Sequence, residues 1–247
     1  MKILLLNPNT SESITQRLMS AALPVLSPDV ELVPLTAPRG VPYIATRAEA
    51  QIGGAIALEM LADHHAGVDA AIIAAFGDPG LLGARELFDI PVIGLAEAAM
   101  LSACMAGRRF ALITFAIALG PWYEECVRMH GLWERCAAIR MLDAPFADIA
   151  FVQEEKEQLL LELAKRAVEE DQADVLILAG APLSGFARKI ADHIPVPVID
   201  QVEAAVLQAQ NMVRLNLRKA TAGTFRRPSP KPTKGLPHSL AARIEHR

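Results

Sequence analysis

The chain has 247 residues, 52% of them hydrophobic, and a net charge of −4; it therefore suits one large or two small domains and argues weakly against nucleic acid as a partner. No apolar run approaches the ~20 residues that cross a bilayer, and the apolar start Met1–Leu6 is too short for a signal peptide. Three cysteines without metal-ligand spacing are typical of a reducing compartment, so we expect a cytoplasmic protein without a membrane or nucleic-acid partner.

The first predicted unit is a buried strand, Lys2–Leu6, followed by a polar turn and the helix Glu12–Leu23, which Thr10 or Ser11 can cap. A helix N-terminus beside amide and hydroxyl side chains is a receptor for an anion or a carbonyl oxygen. Three residues of the turn are therefore candidates for substrate binding: Asn7, Asn9 and Thr10. An ordinary capped turn without a ligand is the alternative.

A long loop, Thr36–Thr46, follows the second predicted strand, Val30–Leu35, and precedes the helix Glu49–Ala66. Loops of this length on a compact α/β unit often lie over a functional site. The loop carries Arg39 and Tyr43, and Arg47 comes just after it. The two arginines are candidate substrate-binding residues, and Tyr43 is a candidate acid or base.

The segment Ala71–Gly80, read AIIAAFGDPG, combines an apolar strand with a turn that contains two glycines, a proline and an aspartate. A strand, a tight turn and the helix Leu81–Leu87 form the kind of junction at which open α/β sheets bind ligands. Ala75, Phe76 and Gly77 are thus candidate contacts. Asp78 is the only carboxylate in either core turn and a candidate general base; a helix cap is the alternative.

The second half of the chain repeats this order. Arg109–Thr114 resembles the first strand, and LILAGAPLSG (176–185) resembles AIIAAFGDPG; each turn and helix is followed by an IPV strand and an EAA helix. The intervening predicted elements are a helix at Ile117–His130, a short strand at Arg140–Leu142, a loop at Asp143–Ala150 and a helix at Val152–Glu170. The repeat adds these candidate contacts: Thr114, Phe115, Gly180, Ala181, Pro182 and Ser184.

The repeat predicts an α/β fold of two pseudo-symmetric, Rossmann-like domains, each a doubly wound and mainly parallel sheet, with a cleft between them. A single long doubly wound sheet is the alternative. We assign residues 1–97 with 206–247 to the first domain and residues 98–205 to the second. The basic, proline-rich segment after Lys219 is either an extended arm ending in a short helix from about Ser239, lying on the protein or on a neighbouring subunit, or an anion-binding arm.

The opening KILLLNPNTS, the FGDPG turn, the segment IPVIGLAEAAM and the duplicated halves resemble the hydantoin racemase branch of the aspartate/glutamate racemase superfamily. The resemblance covers nearly the whole chain. It implies two pseudo-symmetric domains, no cofactor, a small-molecule substrate and a homo-oligomer. It also implies one cysteine at each of two strand ends, where one thiolate removes a proton and the other thiol returns one.

This sequence has Ala75 and Gly180 at those two positions. An alanine methyl and a glycine hydrogen cannot exchange protons. We therefore expect an enzyme that acts on a small carboxylate, hydantoin, imide or related carbonyl compound by non-thiol chemistry, as an isomerase, lyase or hydrolase. The alternatives are a true hydantoin or amino-acid racemase and a non-catalytic binder. We also expect that Cys104, Cys126 and Cys136 lie away from both strand ends.

Overall fold

The computed structural model describes residues 1–247 and contains eight strands and nine α-helices. The strands are β1 Lys2–Asn7, β2 Glu31–Thr36, β3 Ala70–Ile73, β4 Val92–Gly94, β5 Phe110–Thr114, β6 Cys136–Met141, β7 Val175–Leu178 and β8 Val198–Asp200. The helices are α1 Glu12–Ala22, α2 Arg47–His64, α3 Leu81–Leu87, α4 Leu95–Ala106, α5 Gly120–Met129, α6 Val152–Glu169, α7 Phe186–Ile190, α8 Gln201–Leu215 and α9 His238–Glu245.

The strands form two parallel sheets of four, in the orders β2-β1-β3-β4 and β6-β5-β7-β8. Each sheet therefore has the same topology, which confirms the predicted α/β fold with two duplicated halves. The match extends to single hydrogen bonds: Ala74 N donates to Leu6 O at 2.7 Å, and Ala179 N donates to Ile113 O at 2.8 Å. The next residues, Ala75 and Gly180, are consequently equivalent positions in the two halves.

Helices cover both faces of the first sheet. Ile3 and Leu5 point into a large apolar core that continues into the second half, whereas Leu4 and Leu6 face a smaller cluster with α2, α3 and α9. All four side chains are buried, as expected for a parallel strand that is covered on both sides. The large core joins the two sheets, and residues that follow β3 and β7, Ala75 and Gly180, line one shared cavity.

Several element boundaries differ from the sequence prediction. Helix α2 begins at Arg47 because Thr46 and Glu49 form a capping box: the Glu49 carboxylate accepts from Thr46 N at 2.9 Å. Strand β6 begins at Cys136, earlier than predicted, because its half-buried edge position needs no run of apolar residues. Residues Ile117–Leu119 form a separate 3₁₀ turn ahead of α5, which starts at Gly120 with a proline in its first turn.

The C-terminal segment forms an arm over the first half. Asn216 ends α8 in a left-handed conformation, the chain then runs without regular structure, and α9 packs on α2 with Leu240 buried. The Lys219 ammonium donates to the carbonyl oxygens of Arg85 and Phe88. The division of the chain at residues 97 and 205 remains a prediction. None of the helices combines the length and the apolar character that crossing a membrane would require.

Candidate active site

A small cavity lies where the central strands of the two sheets end. Its volume is about 20 Å³, which is enough for one water molecule. The equivalent residues Ala75 and Gly180 both contribute to its wall, as the duplicated sequence predicted. The lining residues are Asn9, Ile14, Pro42, Tyr43, Ile44, Ala75, Phe76, Phe115, Trp122, Tyr123, Ile149, Gly180, Ala181 and Pro182.

Two loops meet beside this cavity, where the wall residues Tyr43 and Phe115 pack against Phe146 in a cluster that we call the aromatic roof. The ring centroids of Tyr43 and Phe115 are 5.8 Å apart, those of Tyr43 and Phe146 are 6.4 Å apart, and those of Phe115 and Phe146 are 5.7 Å apart. Such tilted and edge-on contacts stabilise aromatic clusters. Tyr43 lies in the loop after β2 and Phe146 in the loop after β6, so each half of the molecule contributes one loop to the roof.

Three polar groups belong to residues of the cavity wall. The Tyr43 hydroxyl is buried and has no hydrogen-bond partner, and the Asn9 side-chain nitrogen makes no hydrogen bond within the protein, although its oxygen accepts from Ser11 N at 2.9 Å. The Tyr123 hydroxyl lies 3.2 Å from the place a Cβ at Gly180 would take. Burial raises the pKa of both phenols, so both stay protonated and serve as hydrogen-bond donors.

The turn after β1 is built mainly for structure. The Asn7 amide nitrogen donates to Asn9 Oδ1 at 3.0 Å and to Thr15 Oγ1 at 2.9 Å, and Asn7 is fully buried outside the cavity. Ser11, not Thr10, caps α1 by accepting from Ile14 N. Thr10 N donates to Val41 O at 3.0 Å. Of the three predicted residues in this turn, only Asn9 therefore reaches the cavity wall.

Neither predicted arginine lines the cavity, because each is paired with a carboxylate elsewhere. Arg39 binds Glu59 at 2.6 Å. The Arg47 guanidinium binds both oxygens of Glu125 through Nε, at 2.8 and 2.9 Å, and so links α2 to α5 of the second half. Without these arginines, the wall of the cavity contains no charged side chain.

Asp78 caps a helix, which is the alternative that its sequence context left open. Its two carboxylate oxygens accept from Ala96 N at 2.9 Å and Glu97 N at 2.8 Å, at the start of α4. His130 Nε2 lies 3.0 Å from Asp78 Oδ2. Asp78 and Gly77 are both outside the cavity wall. Three donors thus already occupy the carboxylate that the sequence proposed as a general base.

Asp78, His130, Glu97 and Arg85 form a buried ion network behind the turn. His130 Nδ1 lies 3.5 Å from Glu97 Oε1, and Arg85 binds Glu97 through two nitrogens. Burial alone would lower the pKa of His130, but its hydrogen bonds to Asp78 and Glu97 raise that pKa to about 9. Burial would likewise raise the pKa of Glu97, but Arg85 and His130 lower it to about 2. His130 and Glu97 are therefore both charged at neutral pH.

The second turn is held by buried side-chain amides. Gln201 accepts from Gly180 N at 3.2 Å and donates to Gly180 O at 2.5 Å, and Gln153 donates to Pro182 O and Ser184 O at 2.8 Å. The hydroxyls of Thr114 and Ser184 are buried without partners. Neither of these predicted contacts lines the cavity, whereas Phe115, Ala181 and Pro182 do.

Gly180 could not carry a thiol without rearrangement of its surroundings. Its φ is 115°, and a Cβ there would lie 2.7 Å from Phe115 Cε1. A side chain at this φ is strained, and such an approach to a ring atom forces the ring to move. The aromatic ring thus occupies the space that a cysteine at this position would need.

The three cysteines lie away from the cavity, as the sequence predicted. Cys104 is in α4, Cys126 is in α5, and Cys136 is at the start of β6 rather than at its carboxyl end. Burial raises the pKa of all three thiols, that of Cys136 to about 12. Ligand atoms of Asp78, Cys126 and His130 lie within 4.8 Å of one another, a set that could hold a metal ion. Both imidazole nitrogens already face carboxylates, however.

Sequence reasoning missed the wall residues of α5, Trp122 and Tyr123, and the amide pair Gln153 and Gln201. The two aromatics stand at the start of a helix, where periodicity alone does not tell which neighbour a side chain will meet. Trp122 packs over Gly77, where a Cβ would lie 2.3 Å from its ring. Gly77 leaves room for a large side chain to approach, and Trp122 in the other half is a large aromatic residue, so their contact could have been suggested from the sequence.

Comparisons with known proteins agree with this architecture. The family described as Asp/Glu/Hydantoin racemase matches residues 3–209. Hydantoin racemases from Paenarthrobacter aurescens and from Pseudomonas sp. (strain NS671) are 33% and 34% identical to this chain; each alignment covers 94% of it, and 99% and 93% of the respective relative. The structure of allantoin racemase from Klebsiella pneumoniae superposes with a TM-score of 0.91 at 33% identity, covering 97% of this chain and 98% of that one. The chain therefore belongs to the Asp/Glu/hydantoin racemase family.

Proposed function

We propose that this protein is a cofactor-independent enzyme that acts on an uncharged cyclic amide or ureide of the hydantoin type by oxygen-based, non-thiol proton transfer. One observation carries the proposal. The cavity at the paired strand ends has mostly apolar walls, no charged side chain, and polar groups from Asn9, Tyr43 and Tyr123, of which the Tyr43 hydroxyl is buried without a hydrogen-bond partner.

These groups match the chemistry of a hydantoin ring, which presents carbonyl oxygens and N–H groups but no charge. A carboxylate substrate would need a cationic partner in this low-dielectric site, and both nearby arginines are paired with Glu59 and Glu125. Aromatic and aliphatic walls suit an apolar substituent on the ring. The names of the relatives, hydantoin racemase and allantoin racemase, support the same substrate class.

The proposed chemistry is removal of the proton next to a carbonyl group. Phenol donors stabilise the oxyanion that develops on the carbonyl oxygen, because a preformed donor in a dry site loses no energy to reorganisation. Tyr43 and Tyr123 are protonated and suited to this role. A water molecule held by Tyr43 and Asn9 relays the proton from the substrate carbon to a hydroxide ion or buffer base from the solvent, and the same water returns a proton to the carbanion, so the protons balance.

A direct test uses an optically pure 5-benzylhydantoin in D₂O. Proton NMR follows the loss of the C5 proton, chiral chromatography follows the enantiomer ratio, and mass spectrometry detects ring opening or loss of a fragment; each rate is compared with that in buffer alone. We expect C5 exchange that falls by at least about tenfold in Tyr43→Phe. Replacement of Cys104, Cys126 and Cys136 by serine should leave the rate unchanged, and a folded triple variant that loses ~10³ would contradict non-thiol chemistry.

A non-catalytic binder is the second candidate, and a specific observation favours it. The cavity wall contains no carboxylate, imidazole or thiol, which are the groups that most often act as general bases. Titration calorimetry with the same hydantoin, combined with the exchange assay, separates the two functions. Saturable binding without exchange above the buffer rate would establish the binder and refute the enzyme.

A further inference from the structure

A second cavity, of about 500 Å³, lies between the C-terminal arm, helices α4 and α8, and the segment before β4. We call it the arm cavity. It shares no lining residue with the candidate active site. Its volume is within the range of small-molecule sites. The cavity at the strand ends is much smaller, at about 20 Å³.

The walls of the arm cavity are mostly apolar. Phe88, Ile90 and Val92 line one side, Leu101 and Met212 come from α4 and α8, and Phe225 comes from the arm. Leu101 is 45% exposed and Phe225 is 39% exposed, which leaves apolar surface in contact with water. Filling the cavity with an apolar ligand would remove this surface from water and so favours binding.

The charges on the wall are unbalanced. The carboxylates of Glu97 and Asp89 are paired with Arg85 and Arg243, so neither is free to neutralise another cation. Lys219 donates two of its three N–H bonds to backbone carbonyl oxygens and has no carboxylate partner. Arg218, also on the wall, makes no hydrogen bond or ion pair. Two cations therefore face the cavity without a counter-ion.

More positive charge lies close behind this wall. Arg227 donates to the carbonyl oxygen of Arg243, and the Nε atoms of both guanidinium groups are buried without partners. Burial lowers the pKa of Lys219 and of Arg227, and the neighbouring charge of Arg243 lowers both further. Asp89 and Glu86 are the acids near Lys219, and they offset only part of the charge of Arg218, Lys219, Arg227 and Arg243, so the region keeps a positive excess that attracts an anion.

We propose that the arm cavity is a second ligand site, which binds a small organic anion with an apolar body. The anionic head group lies at Lys219 and Arg218, and the apolar body lies between Leu101, Met212 and Phe225. This inference does not depend on the function proposed for the strand-end cavity. It also assigns a role to the basic arm, whose charge the sequence left open.

The test compares two fluorescent probes that share their aromatic rings. One is 8-anilinonaphthalene-1-sulfonate, an anion; the other is N-phenyl-1-naphthylamine, which lacks the sulfonate. Both are titrated into the full chain and into Arg218→Glu, Lys219→Met and Gln208→Trp. Gln208 is a partly exposed wall residue of α8, so a tryptophan there obstructs the cavity. Lys231→Glu is the matched control, since it changes the net charge by the same amount as Arg218→Glu, but on an exposed part of the arm outside the cavity wall.

We expect one sulfonate probe to bind per chain. The affinity for the sulfonate probe should fall by at least about threefold in Arg218→Glu and in Lys219→Met. The affinity for the uncharged probe should change in neither variant, because these cations attract only a charged head group. Gln208→Trp should weaken both probes. Near-UV circular dichroism checks that each variant is folded. Unchanged sulfonate binding in all three cavity variants, or an equal loss in Lys231→Glu, would overturn the proposal.

Discussion

In each half of the molecule, one carboxylate stabilises the N-terminus of the equivalent helix, α4 in the first half and α8 in the second. The carboxylate comes from a different segment in each half. In the first half, Asp78 of the turn caps α4, whose own N-cap residue is Gly94. In the second half, the N-cap residue of α8, Asp200, accepts from Val202 N at 2.9 Å and reaches back to Gly185 N of the turn at 2.6 Å. A turn and a helix are joined by one carboxylate in each case.

Gly94 shows that these two arrangements occupy the same space. A Cβ on Gly94 would lie 2.3 Å from Asp78 Cγ, so a side chain there and Asp78 exclude each other. The comparison teaches that packing fixes where the carboxylate must be, but not which segment supplies it. The halves differ in what surrounds it: Asp78 also meets His130, whereas Asp200 accepts only from backbone N–H groups.

The largest expected effect comes from Asp78→Ala. This change leaves His130 and two backbone N–H groups without their acceptor, and breaking a buried ion pair by removing one partner costs about 3–5 kcal/mol. Adding Gly94→Asp moves the carboxylate to the position used in the second half, and the φ of −97° at Gly94 accepts an aspartate. We expect the double variant to unfold at higher urea concentration than Asp78→Ala. A double variant less stable than both single variants would break the equivalence of the two caps.

The pH dependence of stability should separate the two capping carboxylates, because Asp78 contacts His130 and Asp200 does not. The pKa of His130 is raised from 6.5 to about 9, so its stabilisation is complete below the unfolded value and is lost as the pH rises through 9. For this 5%-exposed side chain, the loss is about 3 kcal/mol. Urea unfolding between pH 6 and 9.5 should show this decline, and His130→Gln should remove it.

Asp200 provides the matched control in another pH window. Burial raises its pKa from 3.8 to about 6, so the free energy of unfolding should also fall as the pH rises from 4 to 6. Asp200→Asn should abolish that decline and leave the alkaline one intact. If His130→Gln removed both declines, the titrations of His130 and Asp200 would be coupled; if it removed neither, His130 would not be the source of the alkaline decline.

The equivalent positions Ala75 and Gly180 should respond differently to a thiol. Gly180→Cys places a side chain at a φ of 115° and against Phe115, which costs about 1–3 kcal/mol. Ala75 already carries a Cβ, so we expect Ala75→Cys to cost at most about 1 kcal/mol. Thermal unfolding measures both changes, with Gly180→Ala as the control that adds a Cβ alone. Equal costs at the two positions would mean that Phe115 moves freely.

The smallest expected effect compares the two loops of the aromatic roof, in which Tyr43 carries a hydroxyl and Phe146 does not. Because the Tyr43 hydroxyl is buried without a partner, Tyr43→Phe should change the free energy of unfolding by less than about 1 kcal/mol, and in the stabilising direction. Chemical denaturation measures this change. A clear loss of stability would show that the hydroxyl has a structural partner, and would weaken its assignment to a ligand.

Features that local chemistry determines were predictable from the sequence. Helix α3 has the predicted boundaries. A turn with two glycines comes just before its first residue, and the segment Ile90-Pro91-Val92, which leads into β4, comes shortly after its last. Duplication placed Ala75 and Gly180 at equivalent strand ends. Partner choice over long distances was not predictable: Arg47 pairs with Glu125, 78 residues away, and nothing local indicates that Asp78 will meet His130. The charged residues of the predicted site therefore lie outside the strand-end cavity, whereas Ala75, Gly180 and the aromatic residues Tyr43, Phe76 and Phe115 line it.

The aromatic roof has a kinetic consequence. A cavity of about 20 Å³ is too small for a ring compound, so such a ligand binds only when the loops that carry the wall residues Tyr43 and Ile149 have moved apart. Its association rate then equals the encounter rate multiplied by the fraction of time that the loops are open, and at high ligand concentration it reaches the opening rate itself. The same separation must precede release, so residence time depends on two loops that belong to different halves of the duplicated chain.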